Sequence, residues 1–233
     1  MAGPALVLLA TGLLALLLAW FAGMRLVAAA ASATGTGAPG RGTILLRLFA
    51  IFFVAAAAGL MVLSQAAGIV AAYGGATQFS LFATTGITGG IAVARLGGGW
   101  LIDRLSIPSV MAAAQAMAFA GTLLLTLWPG PEVCVAALLM IGMGYGVVSG
   151  ATAAAVACYW PKAFYGRVVS RIYIAWCAAA VTLPVLAAHL FDVTGGYQTA
   201  ILVAGAGNIV GVVTALTLPR QIRVEALPAE HVA

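Results

Sequence analysis

An arginine stands inside a hydrophobic run at position 95, and the run ends in an Asp-Arg pair at 103 and 104. A guanidinium is always charged and carries its donors in a planar fork that matches a carboxylate. Thr77, Thr84, Thr88 and Arg95 are separated by seven, four and seven residues, so a helix places them on one stripe. A hydroxyl stripe leading to a cation fits the wall of a water-filled cavity. The alternative is a side chain that snorkels to headgroups or bonds backbone carbonyls. The stripe points away from the Asp-Arg end, which favours the cavity.

Other polar groups recur at helical spacing. Tyr145, Ser149, Thr152 and Tyr159 form a second stripe, and Ser64 and Gln65 lie late in an earlier run. Tyr173, Trp176 and Cys177 precede a kink candidate at Pro184. Singly, each is accounted for by helix packing. Together Thr84, Thr88, Gln65, Tyr145, Ser149, Thr152, Tyr173 and Trp176 around Arg95 would line a cavity with one positive charge. Such a cavity favours a small organic anion.

Arg95 needs something to offset its position. It precedes Asp103 by eight residues, about 12 Å of helix at the usual rise. The hydrocarbon core is about 30 Å thick, so Arg95 is near mid-depth. Insertion of an arginine there costs about 2.5–3.5 kcal/mol. No Asp or Glu lies inside any apolar run; Asp103, Glu132 and Asp192 are at the ends. The arginine has no counter-ion at its own depth, and no intramembrane carboxylate offers itself as a proton carrier.

Enzyme chemistry finds little to work with. Two histidines and five acids assemble no nucleophile–base pair, metal-ligand cluster or phosphate loop. No cofactor and no metal is expected. Cys134, Cys158 and Cys177 are well separated, match no metal spacing, and read as small packing residues.

The elements that position these residues follow from composition. Hydrophobic residues make up 64 % of the chain and charged residues 6 %, which no soluble core of this length accommodates. The apolar residues fall in runs of a length that crosses a bilayer as a helix. The fold class is all-α, polytopic and membrane-embedded. Seven spans are expected, at residues 4–24, 48–72, 79–102, 108–128, 133–159, 172–191 and 199–218. Turn residues separate them: Ala38-Pro39-Gly40, Gly74-Gly75, Pro129-Gly130-Pro131 and Gly195-Gly196.

Apart from Arg95, Lys and Arg flank or occupy alternate connectors and the tail; the second, fourth and sixth connectors hold none. By the positive-inside rule the tail is cytoplasmic and the N-terminus outside. The net charge of +5 sits at span ends, so nucleic-acid binding is not expected. A cleaved signal peptide would leave Arg41 and Arg47 on the wrong side of the membrane. A retinal protein would need a lysine in the last span, and residues 199–218 have none. Glycines four apart (86 and 90; 142, 146 and 150; 207 and 211) let helices approach closely in lipid.

The loop Gly99-Trp-Leu-Ile-Asp103-Arg104 resembles the G-x-x-x-D-R signature of the major facilitator superfamily. Lys162-Ala-Phe-Tyr-Gly166-Arg167, Tyr173 and Phe191-Asp192-Val-Thr-Gly195-Gly-Tyr197 resemble the stretch around the eleventh span of its oxalate/formate-antiporter and monocarboxylate-like branch. The resemblance covers about residues 43–220. It implies a six-helix bundle over 47–219 like the C-terminal half of such a transporter. Residues 1–28 would be a helix like the last of the first half, 29–46 a cytoplasmic linker and 220–233 a cytoplasmic tail. It implies a multi-pass inner-membrane protein moving a small organic anion by alternating access. Arg95 stands where that branch has an intramembrane arginine, and Gly99, Asp103, Arg104 and Arg167 stand in its cytoplasmic gate.

Two departures bear on substrate. After Asp103-Arg104 the chain runs Leu-Ser-Ile-Pro, without the usual glycine and basic residues. Where oxalate transporters carry a lysine after the eleventh-span tyrosine, this chain has Ala175-Trp176-Cys177, which argues against oxalate and leaves monocarboxylates or other small anions. One bundle plus a helix supplies one wall of a central site, so a homodimer or a separate N-terminal half is the expected partner. The competing expectation is a truncated or split-gene membrane subunit without transport of its own.

Overall fold

The computed structural model describes residues 41–220. Its elements are α1 (Arg41–Ala72), α2 (Thr77–Arg104), α3 (Ile107–Leu127), α4 (Pro131–Tyr159), a 3-10 turn (Lys162–Phe164), α5 (Tyr165–Ala180), α6 (Leu183–Thr194) and α7 (Gln198–Leu216). The described residues hold six stretches long and apolar enough to cross a membrane, with Lys162–Thr194 counted as one. These account for the last six expected spans. The expected span at 4–24 lies outside the described residues.

Short connectors force the helices up and down, so α1 starts where α2 ends. One end of the bundle collects Arg41, Arg104 and Lys162 and is called the basic end below. There the Arg47 guanidinium donates to the Thr217 carbonyl, capping α7, and the Tyr159 hydroxyl donates to the Pro219 carbonyl at 2.6 Å. α1 is already helical at Arg41, the first described residue, seven residues before the expected residue 48. Its charged first turns are held by the cap on α7 and need no apolar surroundings.

At the opposite end the Phe-Asp-x-Thr-Gly-x-Tyr stretch builds a reversing turn. Gly195 takes the left-handed conformation (φ 73°) that ends α6, and its N–H bonds the Phe191 carbonyl. The Phe191 ring stacks on Tyr197 at 4.6 Å. The Tyr197 hydroxyl then donates to Gln65 Oε1 at 3.2 Å, tying the turn to α1.

Span six of the expected set is broken. α5 stops at Ala180 and α6 starts at Leu183, with Pro184 in its first turn. Proline has no N–H to return to the preceding turn, and its ring crowds the carbonyl four residues back. The last turn of α5 tightens instead: Val181 and Thr182 bond the Ala178 and Ala179 carbonyls, and the Thr182 hydroxyl bonds Ala179 at 2.9 Å.

α2 and α4 run in the same direction and meet backbone to backbone. A methyl group at Gly98 would overlap the Val147 carbonyl, and one at Gly150 would overlap the Arg95 carbonyl. Gly146 receives the Ile91 carbonyl and the Ala94 methyl in the same way, and Gly142 receives the Ile91 side chain. Only glycine permits this approach, which dispersion rewards in lipid. Gly90 packs on Leu139, whereas Gly86 faces open space. On α7, Gly211 leaves room for the Gln115 amide, which donates to the Ile51 carbonyl at 3.0 Å.

Candidate functional site

The α2–α4 seam places Arg95 beside α4 at the level of Gly150. Its side chain runs back along α4, away from the basic end, and Nη2 donates to the Tyr145 hydroxyl at 2.9 Å. That direction is opposite to snorkelling. The guanidinium carbon lies 5.5 Å from the Tyr145 ring centroid, close enough for a weak cation–π attraction.

Tyr145 is the buried part of the site. Only 1 % of it is exposed. The base of its side chain sits against Gly59 of α1, where a methyl group would overlap Tyr145 Cβ, Cγ and Cδ1. Its hydroxyl emerges between α2 and α5. There it also accepts the Trp176 indole N–H at 2.8 Å. One tyrosine side chain thus joins four helices: its stem meets α1 at Gly59, its backbone belongs to α4, and its hydroxyl bonds Arg95 of α2 and Trp176 of α5.

The hydrogen-bond inventory has one sign. Arginine and indole donate and cannot accept. With both lone pairs of Tyr145 taken, its own O–H is left to donate. The remaining guanidinium N–H groups add more donors, and Arg95 is exposed on the bundle face. Among the described residues no ion pair neutralises it. The cluster is a set of donors awaiting acceptors, which is the chemistry of an anion site.

The other sequence-predicted residues fall into different places. Thr84 is half-buried and Thr88 exposed on the Arg95 stripe, but their hydroxyls donate to the Ser80 and Thr84 carbonyls at 2.8 and 2.9 Å. Their protons are spent on α2 itself, leaving lone pairs facing outward. Tyr173 is exposed one turn before Trp176, its ring 5.5 Å from Phe52. Ser149 and Thr152 are buried inside the bundle, and Thr152 donates to the Val148 carbonyl at 2.7 Å. Gln65 is held toward the far end by Tyr197. The structure therefore joins Arg95, Tyr145 and Trp176 by hydrogen bonds, gives Thr152 and Gln65 partners elsewhere, and buries Ser149.

At the basic end Gly99 faces open space, and Asp103 and Arg167 are exposed. Arg104 stacks over Trp100, its guanidinium carbon 4.4 Å from the ring centroid. Among the described residues Asp103 makes no ion pair with Arg167. It sits in the last turn of α2, where the helix dipole disfavours a carboxylate.

Sequence reasoning missed two features. Gly59 lies in an Ala/Gly-rich run with nothing to distinguish it. Gln115 and Asn208 are fully buried amides in apolar spans, a polarity signal that was legible.

Six stretches among the described residues are long and apolar enough to cross a membrane, the mark of a polytopic membrane protein. The Major Facilitator Superfamily profile matches residues 47–232, and the chain belongs to that family of membrane transporters. No curated protein matches the chain.

Proposed function

We propose that the chain is a secondary transporter, or the C-terminal part of one, that moves a small organic anion by alternating access. The observation that carries this reading is the donor-only cluster: Arg95 and Trp176 both donate to Tyr145, and no acid sits among them. Arg95 holds the anion, and the Tyr145 hydroxyl supplies a second donor. Tyr173 and Trp176 give the cavity wall aromatic surface beside the charge. A monocarboxylate, as in the oxalate/formate-antiporter and monocarboxylate-like branch, satisfies one cation; a dicarboxylate leaves its second charge unmatched.

The basic end faces the cytoplasm, as the positive-inside rule requires, in the inner membrane of the cell. Asp103, with Gly99, Arg104 and Arg167, forms the cytoplasmic gate and finds its partner across the cavity, since a carboxylate at a helix C-terminus is poorly placed alone. The opposite wall comes from a second copy of the chain or a separate N-terminal half.

The test is uptake of formate, acetate, pyruvate, lactate and oxalate into proteoliposomes, with the oligomeric state measured in the same preparation. Saturable uptake of a monocarboxylate by a dimer, or after addition of the first half, supports the proposal. A monomer that neither binds nor transports any of them in either setting is a membrane subunit without transport of its own, and the reading fails.

A further inference from the structure

We propose that Gly59 of α1 is a positioning residue for the anion site, acting through Tyr145. The inference rests on the reading of Arg95 as the anion-holding group and adds what sets that group in place. Three observations carry it.

First, Tyr145 has almost no freedom. Its Cβ, Cγ and Cδ1 occupy the space that any side chain at position 59 would need, and the residue is 1 % exposed. The contact is at the stem of the ring, so a displaced stem moves the whole phenol. Second, among the described residues the hydroxyl at the other end of that ring is the one hydrogen-bonded link between Arg95 on α2 and Trp176 on α5. α5 packs chiefly on α1 and meets α4 only sparsely, so packing alone does not fix Trp176 relative to Arg95. Third, α2 cannot adjust to follow a displaced hydroxyl. Its backbone is set against α4 at Gly98, Gly146 and Gly150.

A methyl group at position 59 therefore moves the Tyr145 hydroxyl away from a guanidinium anchored on a rigid seam. The hydrogen bond that orients Arg95 lengthens or breaks, and hydrogen bonds weaken steeply with distance and angle. Arg95 keeps its charge but loses its orientation, and the second donor no longer points at the same anion. Gly59 touches no ligand in this account.

The experiment is a double-mutant cycle on the full chain in nanodiscs. Pyruvate binding is read by calorimetry and unfolding by a thermal melt, for wild type, Gly59→Ala, Tyr145→Phe and the double variant. The Tyr145→Phe ring keeps the steric conflict and lacks the hydroxyl. Positioning through the hydroxyl predicts that Gly59→Ala weakens binding about tenfold with Tyr145 present and less than about twofold with Phe present. The melting temperature should fall by the same amount in both backgrounds. An equal loss of binding in both backgrounds, or none in either, overturns the proposal.

If Gly59→Ala does not fold, Gly59→Ala/Tyr145→Ala decides the packing relation. Recovery of folding by that pair supports the proposal, and failure to recover overturns it. Absence of pyruvate binding by the wild type would be a failure of the functional reading, which this cycle separates from the effect of Gly59.

Discussion

The guanidinium of Arg95 donates to the hydroxyl of Tyr145 at 2.9 Å, although the two residues are 50 positions apart on different helices. The contact gives a cation expected near mid-depth a neutral acceptor and no negative charge. Its insertion cost, about 2.5–3.5 kcal/mol, is offset only in part by one such bond. On the proposed reading, the remaining donors are what an arriving anion completes.

Removing the phenol oxygen isolates its share. Tyr145→Phe leaves the ring in its Gly59 notch and deletes the acceptor for Arg95 and Trp176. Anion affinity should fall about tenfold, the size of one charge-assisted hydrogen bond. Isothermal calorimetry with pyruvate checks this. Trp176→Phe should cost less, because it removes a neighbour of the hydroxyl and no donor to the anion.

The α2–α4 seam should be intolerant of added volume. At Gly150 the neighbour is backbone, the Arg95 carbonyl, which cannot rotate away. Gly150→Ala should destabilise the bundle by about 1–3 kcal/mol or more, as overpacking does. Gly86→Ala, on open space along α2, should leave stability within about 0.5 kcal/mol of wild type. Melting curves in one detergent distinguish them.

The turn between α6 and α7 carries a pH signature. Burial first, and Asp192 second, raise the Tyr197 hydroxyl above its ordinary value of 10.0. The folded state therefore prefers the neutral phenol more than the unfolded state does. The stability this contributes is present in full below pH 10 and is lost as pH rises through the folded value. Tyr197→Phe should lower the melting temperature at pH 7, because the bond to Gln65 is lost. It should also flatten the decline in stability at alkaline pH.

Helix existence was legible because apolar runs have the length a bilayer demands, and six of the seven expected spans correspond to described helices. Boundaries were less so. Hydropathy places the start of the first described span at residue 48, but the chain is already helical at Arg41, the first described residue, and its Arg47 side chain caps α7. Pro184 announced the break that separates α5 from α6.

Within the site, spacing identified the Thr84, Thr88 and Arg95 stripe, since one helix fixes it. Which stripe on α4 turns outward depends on neighbours that periodicity does not encode. Ser149 and Thr152 share helical spacing with Tyr145, yet they lie within the bundle. Only the length of the Tyr145 side chain carries its hydroxyl out to Arg95. The Gly59 notch was invisible for the same reason: a glycine in an Ala/Gly run gives no sign of what will rest against it.

The measurement that bears most directly on the central claim is pyruvate binding by Arg95→Ala and Arg95→Lys beside wild type, with melting curves as the control for folding. The account predicts that Arg95→Ala folds and loses about 100-fold or more in affinity, the scale of a desolvated charge pair. Arg95→Lys should recover part of the loss, since the charge returns without the planar fork. A folded Arg95→Ala that binds pyruvate as tightly as wild type would contradict the assignment of Arg95 as the anion-holding group.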